Sequence, residues 1–156
     1  MTTTPTAALT PAGPPFTTWG RTYAPSPRTA HLARMDIADT LGGWGVDATT
    51  IRDAMQVVAE LAGNAVRHGH VPGRHFFVRV TRGGGRLQLE VDDAEPAPPV
   101  LTRAPDDAEE GRGLRIVDAL ADAWGVTPRP GGIGKTVWAV ILYGTVSSRA
   151  DSAELP

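Results

Sequence analysis

Two residues with chemistry to offer, Glu60 and Asn64, stand in the stretch Val57-Val58-Ala59-Glu60-Leu61-Ala62-Gly63-Asn64-Ala65-Val66-Arg67-His68-Gly69. At about 100° per residue their spacing is close to one helical turn, which makes the two side chains neighbours. Asn inside a helix costs about half a kcal/mol against Ala, and a glycine such as Gly63 costs about one more. A face that needed only solvation would use Lys, Gln or Glu, so the pair reads as placed for a ligand. The competing reading is a solvated pair on a long amphipathic helix. An amide oxygen is a hard ligand of the kind Mg2+ takes beside phosphate and water.

Two later segments offer matching chemistry. Arg86 to Asp93 alternates, with Leu87, Leu89 and Val91 on the core side and Arg86, Gln88, Glu90 and Asp92 toward water, which leaves Asp93 on the core side. A carboxylate at the end of a buried face needs a partner, and the exocyclic amine of adenine is one it can accept. Gly111-Arg112-Gly113-Leu114 opens a helix, where glycines let backbone amides approach phosphate oxygens at the positive end of the helix dipole. Amide, carboxylate and glycines together suit a nucleotide with its metal.

The elements that must position these groups follow from periodicity. Residues 1–16 are Thr, Pro and Ala with little to bury, and 146–156 are polar; both are expected to be disordered tails around one folded domain over 17–145. A short strand is expected from Thr17 to Ala24, ending at Pro25. Ser26-Pro27 starts a helix to about Leu41 whose apolar side is offered by Leu32, Met35 or Ala33, Ile37 and Leu41, and Gly42-Gly43-Trp44-Gly45 stops it. Asp47 caps a second helix running to His68-Gly69, with Ile51, Met55, Val58, Ala62 and Ala65 as its stripe. Arg74 to Arg82, with Phe76, Val78 and Val80 inward, pairs through Gly83-Gly84-Gly85 with Arg86 to Asp93 as an antiparallel hairpin.

Glu95 to about Glu110 carries Pro96, Pro98, Pro99, Pro105 and an acidic run, and reads as a loop of lid length. The third helix places Leu114, Val117, Leu120, Ala121 and Trp124 at helical spacing. Two strands, about Gly125 to Arg129 and Ile133 to Tyr143, then join at Pro130-Gly131-Gly132. This order gives an α/β two-layer sandwich, a mixed and mainly antiparallel sheet with the helices on one face.

Composition narrows the partners. The chain has 156 residues, 41% hydrophobic and 21% charged, which suits one domain. A net charge of −2 with scattered basic residues argues against nucleic acid. The lack of cysteine excludes disulfides and thiolate metal sites and is compatible with a reducing compartment. No run approaches the roughly 18 apolar residues of a membrane span, and no signal-peptide pattern opens the chain. The expectation is a soluble cytoplasmic protein.

The three segments resemble the N, G1 and G2 boxes of the ATPase fold shared by histidine kinases, gyrase-type enzymes, heat-shock chaperones and mismatch-repair proteins, the GHKL superfamily. Within it, Glu60-Leu61-Ala62-Gly63-Asn64-Ala65-Val66-Arg67-His68-Gly69 and Gly111-Arg112-Gly113-Leu114-Arg115-Ile116-Val117 most resemble the small bacterial anti-sigma-factor serine/threonine kinases, and the similarity runs from about Thr22 to Leu142. The resemblance implies ATP and Mg2+ as cofactors. It implies that Asn64 holds the Mg2+ bridging the phosphates, that Asp93 recognises the adenine, and that Thr136 sits near it. By the same resemblance Gly111, Arg112, Gly113 and Leu114 bind the phosphates, with Arg112 available for their charge. Glu60 is then the general base, taking a proton from a substrate serine, or from water, as the γ-phosphoryl group leaves. The implied partners are a sigma factor, an anti-anti-sigma-type protein that receives the phosphate, and a second copy of the chain.

One box departs from the pattern. The family's G1 box reads Asp-x-Gly-x-Gly, whereas here it is Asp93-Ala94-Glu95-Pro96-Ala97. The lid is acidic and would repel phosphate if it closed directly over it. The alternative to a kinase is therefore a nucleotide-binding interaction module of the same fold with little chemistry. A structural protein without a nucleotide would need all three boxes to be accidental.

Other features are set aside. Gly134-Lys135-Thr136 ends like a P-loop, but Arg129 stands where that motif needs its first glycine, and a strand follows instead of a helix. Lys135, the only lysine, reads as a surface residue or a minor phosphate contact. His68, His70 and His75 lack metal-ligand spacing and read as surface or capping residues. Ser26 and Ser147 read as cap and tail, and Trp124 and Trp138 as core.

Overall fold

Local sequence sets where each helix begins. In a computed structural model, which describes residues 16–69, 71–96 and 109–144 (109–113 by backbone only), Ser26 caps the first helix. Its hydroxyl accepts from the Thr29 backbone N–H at 3.1 Å while Thr29 Oγ1 accepts from the Ser26 N–H at 3.0 Å, a closed capping box with Pro27 behind it. The expectations for both tails, the lid from 97 to 108 and His70 lie outside the described residues.

Strand β1 (Thr17–Tyr23) leads into α1 (Pro27–Gly43) and α2 (Ala48–Arg67), followed by β2 (Phe76–Gly83), β3 (Arg86–Asp93), α3 (Glu109–Leu120), β4 (Ala123–Pro128) and β5 (Lys135–Leu142). Among the described residues five strands form one sheet in the order β1-β2-β3-β5-β4, with every pairing there antiparallel. The helices cover one face, which bears out the two-layer expectation. Val78, Val80, Leu87, Leu89, Val91, Val137, Ala139 and Ile141 point from that face into the core against Val57, Val58 and Leu61 of α2.

Several stripes are rotated from their expected position. On α1, Ala33, Ile37 and Leu41 are buried at a four-residue repeat, whereas Leu32 and Met35 are 37% and 42% exposed because they lie off that line. On α2 the buried line runs through Ala54, Val57, Val58, Leu61, Ala62 and Ala65, with Ile51 and Met55 only half-buried at its margin. Helix α3 stops at Leu120, so Trp124 belongs to β4 instead. There the Asp122 N–H already donates to the Val140 carbonyl at 2.8 Å, which draws the chain into the sheet. Trp138 is not a core residue. It stands on the helix-free face over Gly125, where a Cβ would come within 2.6 Å of its ring.

Asp47 caps α2 as its position suggests, with Oδ2 accepting from the Thr50 N–H at 3.0 Å and Oδ1 from the Thr50 hydroxyl at 2.6 Å. Those hydrogen bonds hold its carboxyl below the ordinary value of 3.8. Asp47→Ala is expected to lose about 1 kcal/mol of stability at neutral pH, as caps of this kind do. A depressed folded-state pKa stabilises above the ordinary carboxylate value and is lost as pH falls through the folded value. The gap between variant and parent in urea melts should therefore narrow in acid; a gap independent of pH would contradict the cap.

Candidate functional site

The long helix α2 puts Glu60 and Asn64 on one side, both half-buried, one turn apart. The Asn64 Oδ1 accepts from Arg67 Nη2 at 3.2 Å, a reach that three residues along a helix permit. Its backbone carbonyl takes the N–H groups of His68 and Gly69 at 2.8 and 3.1 Å and ends the helix. His68 is the exposed C-cap, and His75 is also exposed.

Directly past that end lies Asp93. As strand parity requires, it is on the core side of β3 and only 3% exposed. Its carboxylate packs on Gly69, where a Cβ would come within 2.5 Å of Oδ2. Gly134, at φ +143, passes so close to the Asp93 carbonyl that no side chain would fit there. Gly69, after α2, thus lies against the Asp93 carboxylate, and Gly134, before β5, against its backbone carbonyl.

The partner that this buried carboxylate needs is Lys135. Register pairs Asp93 with Lys135 across β3 and β5 on the core side, and Nζ sits 3.1 Å from Oδ1 and 3.0 Å from Oδ2. Nζ also donates to the Glu95 carbonyl at 2.9 Å, while the Glu95 N–H donates to Asp93 Oδ1 at 2.9 Å. Arg129 Nη1 donates to the Asp93 backbone carbonyl at 3.0 Å. Burial pushes the Asp93 carboxyl above its ordinary value, and the Lys135 ammonium works against that rise. The surface reading of Lys135 is therefore corrected: it is 4% exposed, because odd-numbered β5 residues face the core.

Thr136 goes the other way. The same register pairs it with Asp92 on the helix-free face, and its hydroxyl donates to Asp92 Oδ1 at 2.5 Å. It lines a hollow of about 360 Å³ with Gln88, Glu90 and Trp138, across the sheet from Asp93. One residue of parity separates the two sides, so the structure does not bring Thr136 to the Asp93 carboxylate.

Helix α3 begins at Glu109, so Gly111, Arg112 and Gly113 lie within its opening turn and not ahead of it. The N–H groups of a helix's opening turn have no intrahelical acceptor, which among the described residues here are those of Glu109, Glu110 and Gly111. Leu114, 2% exposed, and Val117, fully buried, anchor α3, and the helix packs against α2. That packing sets the amino end of one helix in the same layer as the Glu60 and Asn64 helix.

The donor set suits a nucleotide. A carboxylate packed on a glycine is an acceptor for an amino group on a flat ring, and backbone amides at the amino end of a helix are donors for phosphate. Among the described residues no group of three or more His, Asp or Glu side chains could hold a metal. An amide oxygen such as Asn64 Oδ1 is a hard ligand of the kind Mg2+ takes beside phosphate and water oxygens.

Sequence reasoning found the buried carboxylate and its need for a partner but assigned Lys135 elsewhere. The signal was available in the strict alternation of Lys135, Val137, Ala139 and Ile141.

The histidine kinase-like ATPase domain family matches residues 23–141. The crystal structure of the RsbU and RsbW domains of Rv1364c from Mycobacterium tuberculosis shares the fold, with a TM-score of 0.61 and 20% identity. That likeness covers 80% of this chain and 32% of the other, so this chain spans about a third of that one's length. No curated protein matches.

Proposed function

Because the chain belongs to the histidine kinase-like ATPase domain family, we propose that it is an ATP-binding regulatory protein of the anti-sigma-factor kinase kind. In this reading it transfers the γ-phosphoryl group of ATP to a serine of an antagonist protein and sequesters a sigma factor. The observation that carries the nucleotide part is Asp93, a carboxylate buried at the end of α2 and packed on Gly69, beside the helix that bears Glu60 and Asn64.

The residues divide the work. Asp93 accepts the amine of the base. The amides opening α3, that of Gly111 among them, receive the phosphates, and Arg112 supplies positive charge. Asn64 would hold Mg2+, which would neutralise phosphate charge, with its Oδ1 released from the Arg67 hydrogen bond. Glu60, one turn back, accepts the serine proton as the hydroxyl oxygen bonds the γ-phosphorus and the bond to the β–γ bridging oxygen breaks, releasing ADP. The RsbU and RsbW domains of the Mycobacterium tuberculosis protein support the fold on which this reading rests.

A second reading, a nucleotide-binding interaction module with little chemistry, is favoured by the loop after β3. Here Lys135 and Asp93 tie Glu95 back by two hydrogen bonds, in place of the glycines of the family pattern. One experiment separates the two. γ-Labelled ATP with Mg2+ is offered to the purified chain together with proteins that copurify with it. Label on a partner serine supports the kinase; binding without transfer supports the module; no binding contradicts both. Asn64→Ala is expected to weaken ATP about tenfold when Mg2+ is present, the value of one lost contact to a charged group, and to leave Mg-free binding unchanged. Equal losses in both conditions would remove the metal role.

A further inference from the structure

Lys135 is the feature that the proposed chemistry does not use. It is the only lysine in the chain, yet it lies within the sheet's core face, with its side chain 5% exposed. Burying an ammonium is unfavourable unless it is paired and hydrogen-bonded. Its bonds go to Asp93 Oδ1, Asp93 Oδ2 and the Glu95 carbonyl, so its donors are spent on the carboxylate and the loop behind it. The carboxylate in turn takes Lys135 and the Glu95 N–H, which leaves lone pairs, since a carboxylate offers about four acceptor positions.

Resting on the nucleotide reading above, we infer that Lys135 is a positioning residue for base recognition: it holds the Asp93 carboxylate ionised and in one orientation, as the acceptor for a base bearing an exocyclic amine. A buried carboxyl without a cation beside it takes up a proton and becomes a donor on one oxygen. It would then no longer prefer an amine over a carbonyl at the same position on the ring. The site therefore selects adenine over hypoxanthine through a residue that need not touch the base.

The test compares ATP, ITP and inorganic tripolyphosphate on the intact chain and on Lys135→Met, with folding checked by circular dichroism. The parent should prefer ATP over ITP by about tenfold or more, as a hydrogen bond to a charged group allows. In Lys135→Met that preference should vanish through loss of ATP affinity, with ITP and tripolyphosphate unchanged, and Lys135→Arg should restore part of it. A Met variant that binds ATP more tightly would make Lys135 a plug and overturn the inference. So would a preference that survives the substitution. If the parent binds none of the three, the nucleotide reading itself falls and takes the inference with it.

Should Lys135→Met not fold, the unaltered chain answers the same question. Isotope-labelled lysine gives one Nζ signal, which should move when ATP is added and stay in place with tripolyphosphate. An Nζ signal indifferent to ATP at saturation overturns the inference.

Discussion

Glu60→Gln is expected to reduce phosphoryl transfer by about 10²- to 10⁴-fold, the usual contribution of a general base, while leaving Mg-ATP affinity unchanged. Gln keeps the size and the helix propensity of Glu, so α2 and the Asn64 position should be undisturbed. What it removes is the ability to accept the serine proton. Glu60, the proposed base, lies one turn before Asn64, the proposed metal ligand, on the same helix, which fixes their separation. Single-turnover transfer from labelled ATP, at saturating nucleotide, isolates the step. A variant as fast as the parent would show that Glu60 is a surface residue, and the module reading would then stand alone.

The largest effect on stability should come from Lys135→Met. Removing one partner of a buried ion pair leaves the other charge without compensation, at a cost of about 3–5 kcal/mol. Both residues are nearly inaccessible, Asp93 at 3% and Lys135 at 4% exposed, so water screens little of this. Asp93→Asn in the same chain should recover most of the loss, because no buried charge remains and the Asn Oδ1 can still accept from the Glu95 N–H. The pH dependence has a definite sign. Burial already holds the Asp93 carboxyl above 3.8, and without the opposing ammonium it rises further. A raised acid stabilises below the unfolded pKa and loses that contribution as pH rises through the folded value. Urea melts of Lys135→Met should thus show a deficit that widens from acid toward neutral pH. A deficit that is constant with pH would place the damage in packing instead of charge.

Much of the fold was legible because its signals are local. Ser26 and Asp47 as caps, and the alternation of Leu87, Leu89, Val91 and Asp93, each depend on a few adjacent residues. Stripe positions on α1 and α2 were harder to read. The helices pack on each other as well as on the sheet, so the buried line is set by two neighbours that sequence spacing does not show.

The site divided in the same way. Asp93 was found by counting along one strand, but its partner lies on β5, 42 residues later, and only the register of two strands brings Lys135 to it. The resemblance placed Thr136 near the adenine, whereas parity along β5 turns it to the opposite face with Asp92. Spacing within a helix had suggested Glu60 and Asn64 as neighbours, and they are, although nothing in that spacing foretold that Arg67 would occupy the amide oxygen.

The most direct check is calorimetric titration of the intact chain with ATP, in the presence and absence of Mg2+. Saturable binding of one nucleotide per chain, tighter with the metal, is the result expected from a base-binding carboxylate at Asp93 and a metal ligand at Asn64. Heats no larger than dilution under both conditions, from protein shown to be folded, would contradict it.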